Sequence, residues 1–234
     1  MKVERLSTKC DSLDDLMGGG IEYETVTNVY GPAGCGKTNF CLQTSVSCVE
    51  DGSKVVFIDT EGSFSKERVG QIADDPKEVM DNIVLYEPRN FEEQEKTIEN
   101  VEDVCKEKDI GLLVLDSLVT LYRLELNGDN IKDVNSRLAK QLSKLSNISR
   151  EYGIPVLITN QIYADIENGG VELVSRDIAK YQSKCLLEIK KFEKGKRLAV
   201  LRKHRSLPEG KEAQFVITEN GLETPGSKFN IFKG

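Results

Sequence analysis

The chain has 234 residues, 38% of them apolar, with 39 acidic against 32 basic side chains, a formal charge of -7, six cysteines and no tryptophan. That length and apolar fraction predict one domain over 1–234 with its own core, and no uncharged run reaches the 18 residues or so of a membrane span. The opening Met1-Lys2-Val3-Glu4-Arg5 does not read as a signal peptide, and the cysteines form no C-x-x-C pair, which is the usage of reduced thiols in a cytoplasmic protein rather than of a disulfide scaffold or zinc ribbon.

Short apolar runs at 25–30, 55–58, 83–86, 112–115 and 156–158 alternate with longer stretches of helical period. This is the pattern of an α/β fold with a mostly parallel twisted sheet flanked by helices. A helix is predicted to open at Asn90, a cap residue with Glu93 three positions on, and to bury Phe91, Ile98, Val101, Val104 and Cys105. The clearest helix carries Ile131, Val134, Leu138, Leu142, Leu145, Ile148 and Tyr152 at spacings of three and four, an apolar stripe that should lie on the sheet. After Lys184 the pattern changes to runs at 185–192, 198–202 and 214–218 around a turn at 193–196, read as an antiparallel extension of the sheet.

Between the first strand and a helical stretch at 39–49 stands Gly31-Pro32-Ala33-Gly34-Cys35-Gly36-Lys37-Thr38, a complete Walker A loop in its strand–loop–helix context. Its glycines let backbone N–H groups turn inward around a phosphate, and the helix N-terminus adds its positive end. Lys37 reaches the terminal phosphates and Thr38 ligands Mg2+, so the loop calls for ATP with magnesium. The strand at 112–115 ends in Asp116, the Walker B position for the magnesium shell. Asp59 and Glu61 follow the second strand and Gln161 the last parallel one, where open α/β sheets bind ligands. Glu61 is a candidate general base for water, and Gln161 a candidate sensor of the γ-phosphate.

Ser12-Leu13-Asp14, Gly18-Gly19-Gly20-Ile21, the Walker A loop, Ile58-Asp59-Thr60-Glu61-Gly62-Ser63-Phe64, Leu115-Asp116-Ser117 and Ile158-Thr159-Asn160-Gln161 together resemble the RecA-like recombinases, the archaeal RadA branch most of all. The resemblance runs from about Ser7 to Leu222. It implies a RecA-like P-loop core with Lys37, Thr38 and Asn39 at the nucleotide, Asp116 in the magnesium shell, Glu61 as catalytic carboxylate, Gln161 coupling nucleotide to DNA, and Arg68 stacking on adenine. The recombinases carry an N-terminal helix-hairpin-helix domain and a Phe-x-x-Ala linker between subunits. Here 30 residues without phenylalanine precede Gly31, so the resemblance is to a core-only archaeal paralogue lacking both.

Charge departs from that family. The two segments that hold single-stranded DNA in the recombinases correspond to 123–133 and 163–179, with net charges of -1 and -3, whereas 180–205 has ten Lys/Arg against two Glu. Because counterion release at phosphates drives much of DNA binding, the reading predicts little or no strand exchange. Contact with single-stranded or branched DNA moves to Lys190, Lys191, Lys194, Lys196, Arg197, Arg202 and Arg205. Lysines that merely blunt exposed strand edges are the simpler account of that tract. Lys203 stands where the family has an aspartate beside a potassium ion at a neighbour's ATP, so its ammonium is read as replacing that ion. His204 is read as a surface histidine, and Cys35 and Cys41 as small buried thiols rather than redox sensors. The implied role is an ATP- and DNA-binding accessory of recombination and repair with weak hydrolysis and possible self-association. Its family-level partners are the full recombinase RadA and a junction-resolving nuclease. The competing role is a KaiC-like regulatory ATPase acting through protein partners without DNA.

Overall fold

The computed structural model describes residues 4–165, 170–173, 177–193 and 195–226. In chain order the elements are β1 (Arg5–Leu6), α1 (Asp11–Met17), β2 (Ile21–Glu22), β3 (Val26–Gly31), α2 (Lys37–Glu50), β4 (Lys54–Asp59), α3 (Lys66–Ile72), α4 (Pro76–Asp81), β5 (Ile83–Tyr86) and α5 (Phe91–Glu107). Then follow β6 (Ile110–Asp116), α6 (Thr120–Glu125), α7 (Ile131–Glu151), β7 (Val156–Asp165), β8 (Gly170–Leu173), α8 (Asp177–Gln182), β9 (Cys185–Lys191), β10 (Lys196–His204), β11 (Glu212–Thr218) and β12 (Gly221–Glu223).

The main sheet runs β12-β11-β10-β9-β3-β7-β6-β4-β5, with β8 turned back antiparallel on β7. Strands β9, β3, β7, β6, β4 and β5 run parallel to one another, and β10, β11 and β12 each pair antiparallel with the strand before them. The predicted antiparallel extension therefore needs one correction: its first strand, β9, joins β3 in parallel, and only the strands beyond it alternate. This puts the extension directly against the strand that leads into the phosphate loop.

Alternation across the strands makes two cores. On one face Val29, Phe57, Val114, Leu187 and Phe215 pack against α1 and α2; on the other Val26, Ile58, Leu115 and Ile158 pack against α5 and α7. Helix α2 is buried almost all round, and its internal Thr44 and Ser45 return their hydroxyls to the carbonyls of Phe40 and Cys41, so they leave no unpaired polar group. Gln43 from α2 donates to the Thr8 and Leu222 carbonyls, tying the chain's two ends to this helix.

Helix α5 starts as its sequence predicts: Asn90 accepts from the Glu93 N–H at 2.9 Å, while the Glu93 carboxylate reaches back to the Arg89 N–H. In α7 the stripe Val134, Leu138, Leu142, Leu145 and Ile148 is buried, but Ile131, at the first turn, is 46% exposed. The short helices α1, α3, α4 and α6 escape a periodicity search because one or two turns carry too few apolar positions. Among the described residues no helix is long and apolar enough to cross a membrane. Leu142→Ala should lower unfolding free energy by about 2–5 kcal/mol through cavity formation, against less than about 0.5 kcal/mol for Ile131→Ala, as read from urea unfolding midpoints.

Candidate nucleotide site

The loop between β3 and α2 is shaped by contact with the extension. A Cβ on Gly31 would stand 2.1 Å from the Ile189 carbonyl oxygen, and Gly36, at φ 111°, would place one 2.8 Å from Ile217 Cδ1. Only glycine fits the first position, and the left-handed backbone excludes most residues at the second. Pro32 is half-buried, Ala33 and Gly34 form the exposed crest, and Cys35 lies beneath it. Lys37 is buried, its Nζ donating to the carbonyls of Gly31 at 3.1 Å and Pro32 at 3.2 Å.

Parallel registry brings the remaining groups to this rim. Gly31 is level with Gln161 across β3 and β7, and Asp59 with Asp116 across β4 and β6. Thr38 Oγ1 donates to Asp116 Oδ2 at 2.7 Å, Thr159 Oγ1 donates to Asp116 Oδ1, and Ser63 Oγ donates to Oδ2 at 3.3 Å. Burial is the main force pushing the Asp116 carboxyl above its ordinary range; the threonine bonds oppose it, and the nearby Glu61 and Asp59 charges add to it. Asp59 accepts from the Glu61 and Phe64 N–H groups at 3.0 and 2.7 Å, so it shapes the turn that presents Glu61.

Glu61 Oε1 accepts from Ser117 Oγ at 2.9 Å, Thr120 Oγ1 at 2.6 Å and Gln161 Nε2 at 2.8 Å, and Arg123 reaches Gln161 Oε1 at 3.5 Å. Glu61, Thr120, Arg123 and Gln161, with Thr60, Leu121 and Leu124, line an open pocket of about 540 Å³. Thr159, Ser63, Ser117, Thr120 and Arg123 were not singled out by sequence reasoning. Thr159, Ser63 and Ser117 stand inside the family motifs without a role assigned to them, and the bond of Thr159 to Asp116 exists only because β6 and β7 are neighbours.

A magnesium ion fits this donor set. Thr38 and Asp116 supply one hydroxyl and one carboxylate in mutual contact, the small complement Mg2+ takes when phosphates and water complete its octahedron. Among the described residues no cluster of three or more His, Cys, Asp or Glu forms a closed cage.

Arg68 lies beside the start of α2, donating to Asn39 Oδ1 at 2.7 Å and to the Thr218 and Glu219 carbonyls at 2.8 and 2.9 Å, so it links the loop helix to the β11–β12 turn. Lys203 is not in this cluster. Its Nζ donates to the Lys180 carbonyl at 3.0 Å, and it pairs with Leu186, near the start of β9, away from the phosphate loop.

The basic tract is not one patch. Lys190 and Arg202 both engage Glu188, at 3.4 and 2.6 Å, on one side of the sheet, while Arg205 pairs with Glu22. Lys191 and Arg197 are register partners turned to the other side, where Arg197 Nε donates to the Cys35 carbonyl at 3.2 Å. Lys196 sits at the hairpin's start, half-buried, and Lys194 lies outside the described residues.

His204 corrects its expectation as a surface histidine: its side chain is 2% exposed, with Nε2 3.4 Å from Glu22 Oε2 and Nδ1 accepting from the Ser206 and Leu207 N–H groups. All six cysteines are free and buried, and desolvation raises the Cys35 thiol and holds the Cys41 thiol well above its ordinary range, which suppresses thiolate chemistry at the loop.

A parallel sheet carrying a strand–glycine loop–helix at its rim, with a threonine–aspartate pair and a glutamate–glutamine pair beside it, defines the RecA-like class of P-loop proteins. The chain belongs to the Rad51 family, whose sequence model matches residues 1–225. It is 41% identical over 227 residues to the DNA repair and recombination protein RadB of Methanoculleus marisnigri, covering 96% of this chain and 100% of that one. It is 38% identical over 222 residues to the RadB protein of Methanococcoides burtonii, covering 94% and 97%. A crystal structure of a RadB recombinase superposes with a TM-score of 0.81 at 37% identity, covering 94% of this chain and 99% of that one.

Two outcomes follow from the charges. Asp116→Asn removes a buried carboxylate while keeping its shape; its amide oxygen accepts from one threonine and its NH2 donates to the other hydroxyl, so it should raise or preserve the melting temperature without nucleotide and abolish the magnesium dependence of ATP binding in calorimetry. Burial lowers the His204 pKa, with Arg5 and Arg205 in the same direction and Glu22 opposing. A depressed folded value means stability present above the unfolded pKa, about 6.5, and lost as pH falls. The melting temperature should therefore drop between pH 7.5 and 5.5, and His204→Gln should shrink that drop.

Proposed function

We propose that this chain is an ATP-binding accessory protein of DNA recombination and repair. The single observation that carries the reading is the hydrogen-bonded path from the phosphate loop through Thr38 and Asp116 to Thr159, two residues before Gln161 on β7. In that reading the amides of residues 31–36, Lys37 and the α2 N-terminus hold the phosphates, Asn39 and Arg68 face the nucleoside side, and Thr38 and Asp116 hold Mg2+. The ion supplies charge neutralisation at the terminal phosphates when bound. Glu61 orients the attacking water, and Gln161, bonded to Glu61, transmits the state of the γ-phosphate along β7.

Hydrolysis is slow in this reading. Glu61 Oε1 already accepts three hydrogen bonds, so that oxygen is occupied and only Oε2 is left to engage a water. Cations delivered by a second subunit are worth about 10^3- to 10^5-fold in phosphoryl transfer, and Lys203 is the candidate for that role on self-association. ATP then works chiefly as a conformational ligand. Exposed Arg202 and half-buried Lys190, with Lys196 at the hairpin, are the candidates for single-stranded or branched DNA, the attraction of the first two tempered by Glu188. A full-length RadA-type recombinase and a junction-resolving nuclease are the partners such a cytoplasmic role implies.

The test is a single-strand DNA titration across a salt series, with and without ATP and Mg2+, beside nucleotide calorimetry of wild type and Lys37→Ala. The expected result is ATP affinity lowered about tenfold or more by loss of a charged donor, and DNA affinity that falls with salt by about 0.7 in the log–log slope per phosphate contacted. Wild type that binds ATP but no DNA at low salt would instead favour a regulatory ATPase working through protein partners.

A further inference from the structure

Two cations beside the phosphate loop are held at a cost that the fold does not explain. Lys191 and Arg197 stand directly opposite each other across β9 and β10, and like charges in that relation destabilise a sheet. Among the described residues neither has a carboxylate partner, although Glu188, on the sheet's other side, pairs with Lys190 and Arg202. Arg197 spends its donors on carbonyls: Nε on Cys35 at 3.2 Å, Nη1 on Lys196 at 3.1 Å and Gly195 at 3.4 Å. Lys191 Nζ lies 3.5 Å from where a Cβ on Gly34 would be.

The bond to Cys35 has a directional consequence. In a trans peptide the carbonyl and the following N–H point to opposite sides. A Cys35 carbonyl turned outward to the β10 guanidinium therefore turns the Gly36 N–H away from β10, on the side of the loop where an anion can be gripped. Gly36 is also the residue just before α2, so this amide joins the positive end of the helix.

We propose that Arg197 is a positioning residue of the phosphate cradle, fixing the Cys35–Gly36 peptide, and that Lys191 adds a second ammonium beside Gly34, so the hairpin forms a cationic outer wall for a nucleoside triphosphate bound in the same chain. This rests on the reading that the loop binds nucleotide, and it moves these two residues from the DNA set to the nucleotide set.

Calorimetry with ATP and Mg2+, inorganic triphosphate and adenosine on wild type, Arg197→Ala, Arg197→Lys and Lys191→Met tests it. Arg197→Ala should weaken ATP and inorganic triphosphate alike by about tenfold and leave adenosine unchanged. Arg197→Lys, which keeps charge without the planar fork, should fall between, and Lys191→Met should lose about threefold. Variants that bind triphosphate as wild type does, or that lose adenosine in equal measure, overturn the proposal, and Lys191→Met and Arg197→Lys carry the test if Arg197→Ala does not fold. Wild type that binds neither ATP nor triphosphate overturns the nucleotide reading itself, and this proposal with it.

Discussion

The arrangement turns on one buried carboxylate. Asp116 is 2% exposed, and taking an ionised carboxylate out of water costs several kcal/mol unless it is paired. The hydroxyls of Thr38, Thr159 and Ser63 offset part of that cost, and each comes from a different element: the start of α2, β7 and the turn after β4. The same bonds that lower the cost of the charge therefore hold the phosphate loop, the Glu61 turn and the strand bearing Gln161 in fixed relation. A divalent cation with its phosphates would offset the remainder, so ligand binding and the stability of this rim are linked.

Around that carboxylate, strand alternation sorts the positive charge. In the chain the basic tract is continuous, but successive residues of β9 point to opposite sides of the sheet. Glu188 takes Lys190 and Arg202 on one side, Glu22 takes Arg205, and Lys191 with Arg197 is left at the phosphate loop. A local charge of one sign along the sequence thus becomes three different environments, only one of which adjoins the candidate nucleotide site. His204 belongs to the second of these, buried against Glu22 rather than offered to a ligand.

Much of the architecture was legible beforehand because it is written in local patterns. The period of α7, the Asn90 and Glu93 cap of α5 and the apolar runs of β4, β5 and β6 are consequences of neighbours three, four or two residues apart. The Walker loop was legible for the same reason: its glycines, Lys37 and Thr38 lie within eight consecutive residues. Ile131 continued the α7 pattern yet lies at the helix's first turn and partly exposed, since periodicity marks a face without saying how far the opposing surface extends.

What the chain alone determined is the parallel α/β scaffold, the Walker loop and the strand-end positions of Glu61 and Asp116, since each depends on residues close in sequence; Gln161, expected just past a strand, lies within β7, which runs on to Asp165 to pair with β8. Only the tertiary structure decided that β9 enters beside β3 in parallel, that Thr159 and Ser63 bind Asp116, that His204 is buried, and that the cations divide between two sides of the sheet. Those facts depend on which strands are neighbours and in what register, and such pairing joins residues far apart in the chain, 162 positions in the case of Cys35 and Arg197 and 183 in that of Glu22 and Arg205. No spacing rule along the chain encodes a contact of that kind, because it is set by the packing of the whole sheet.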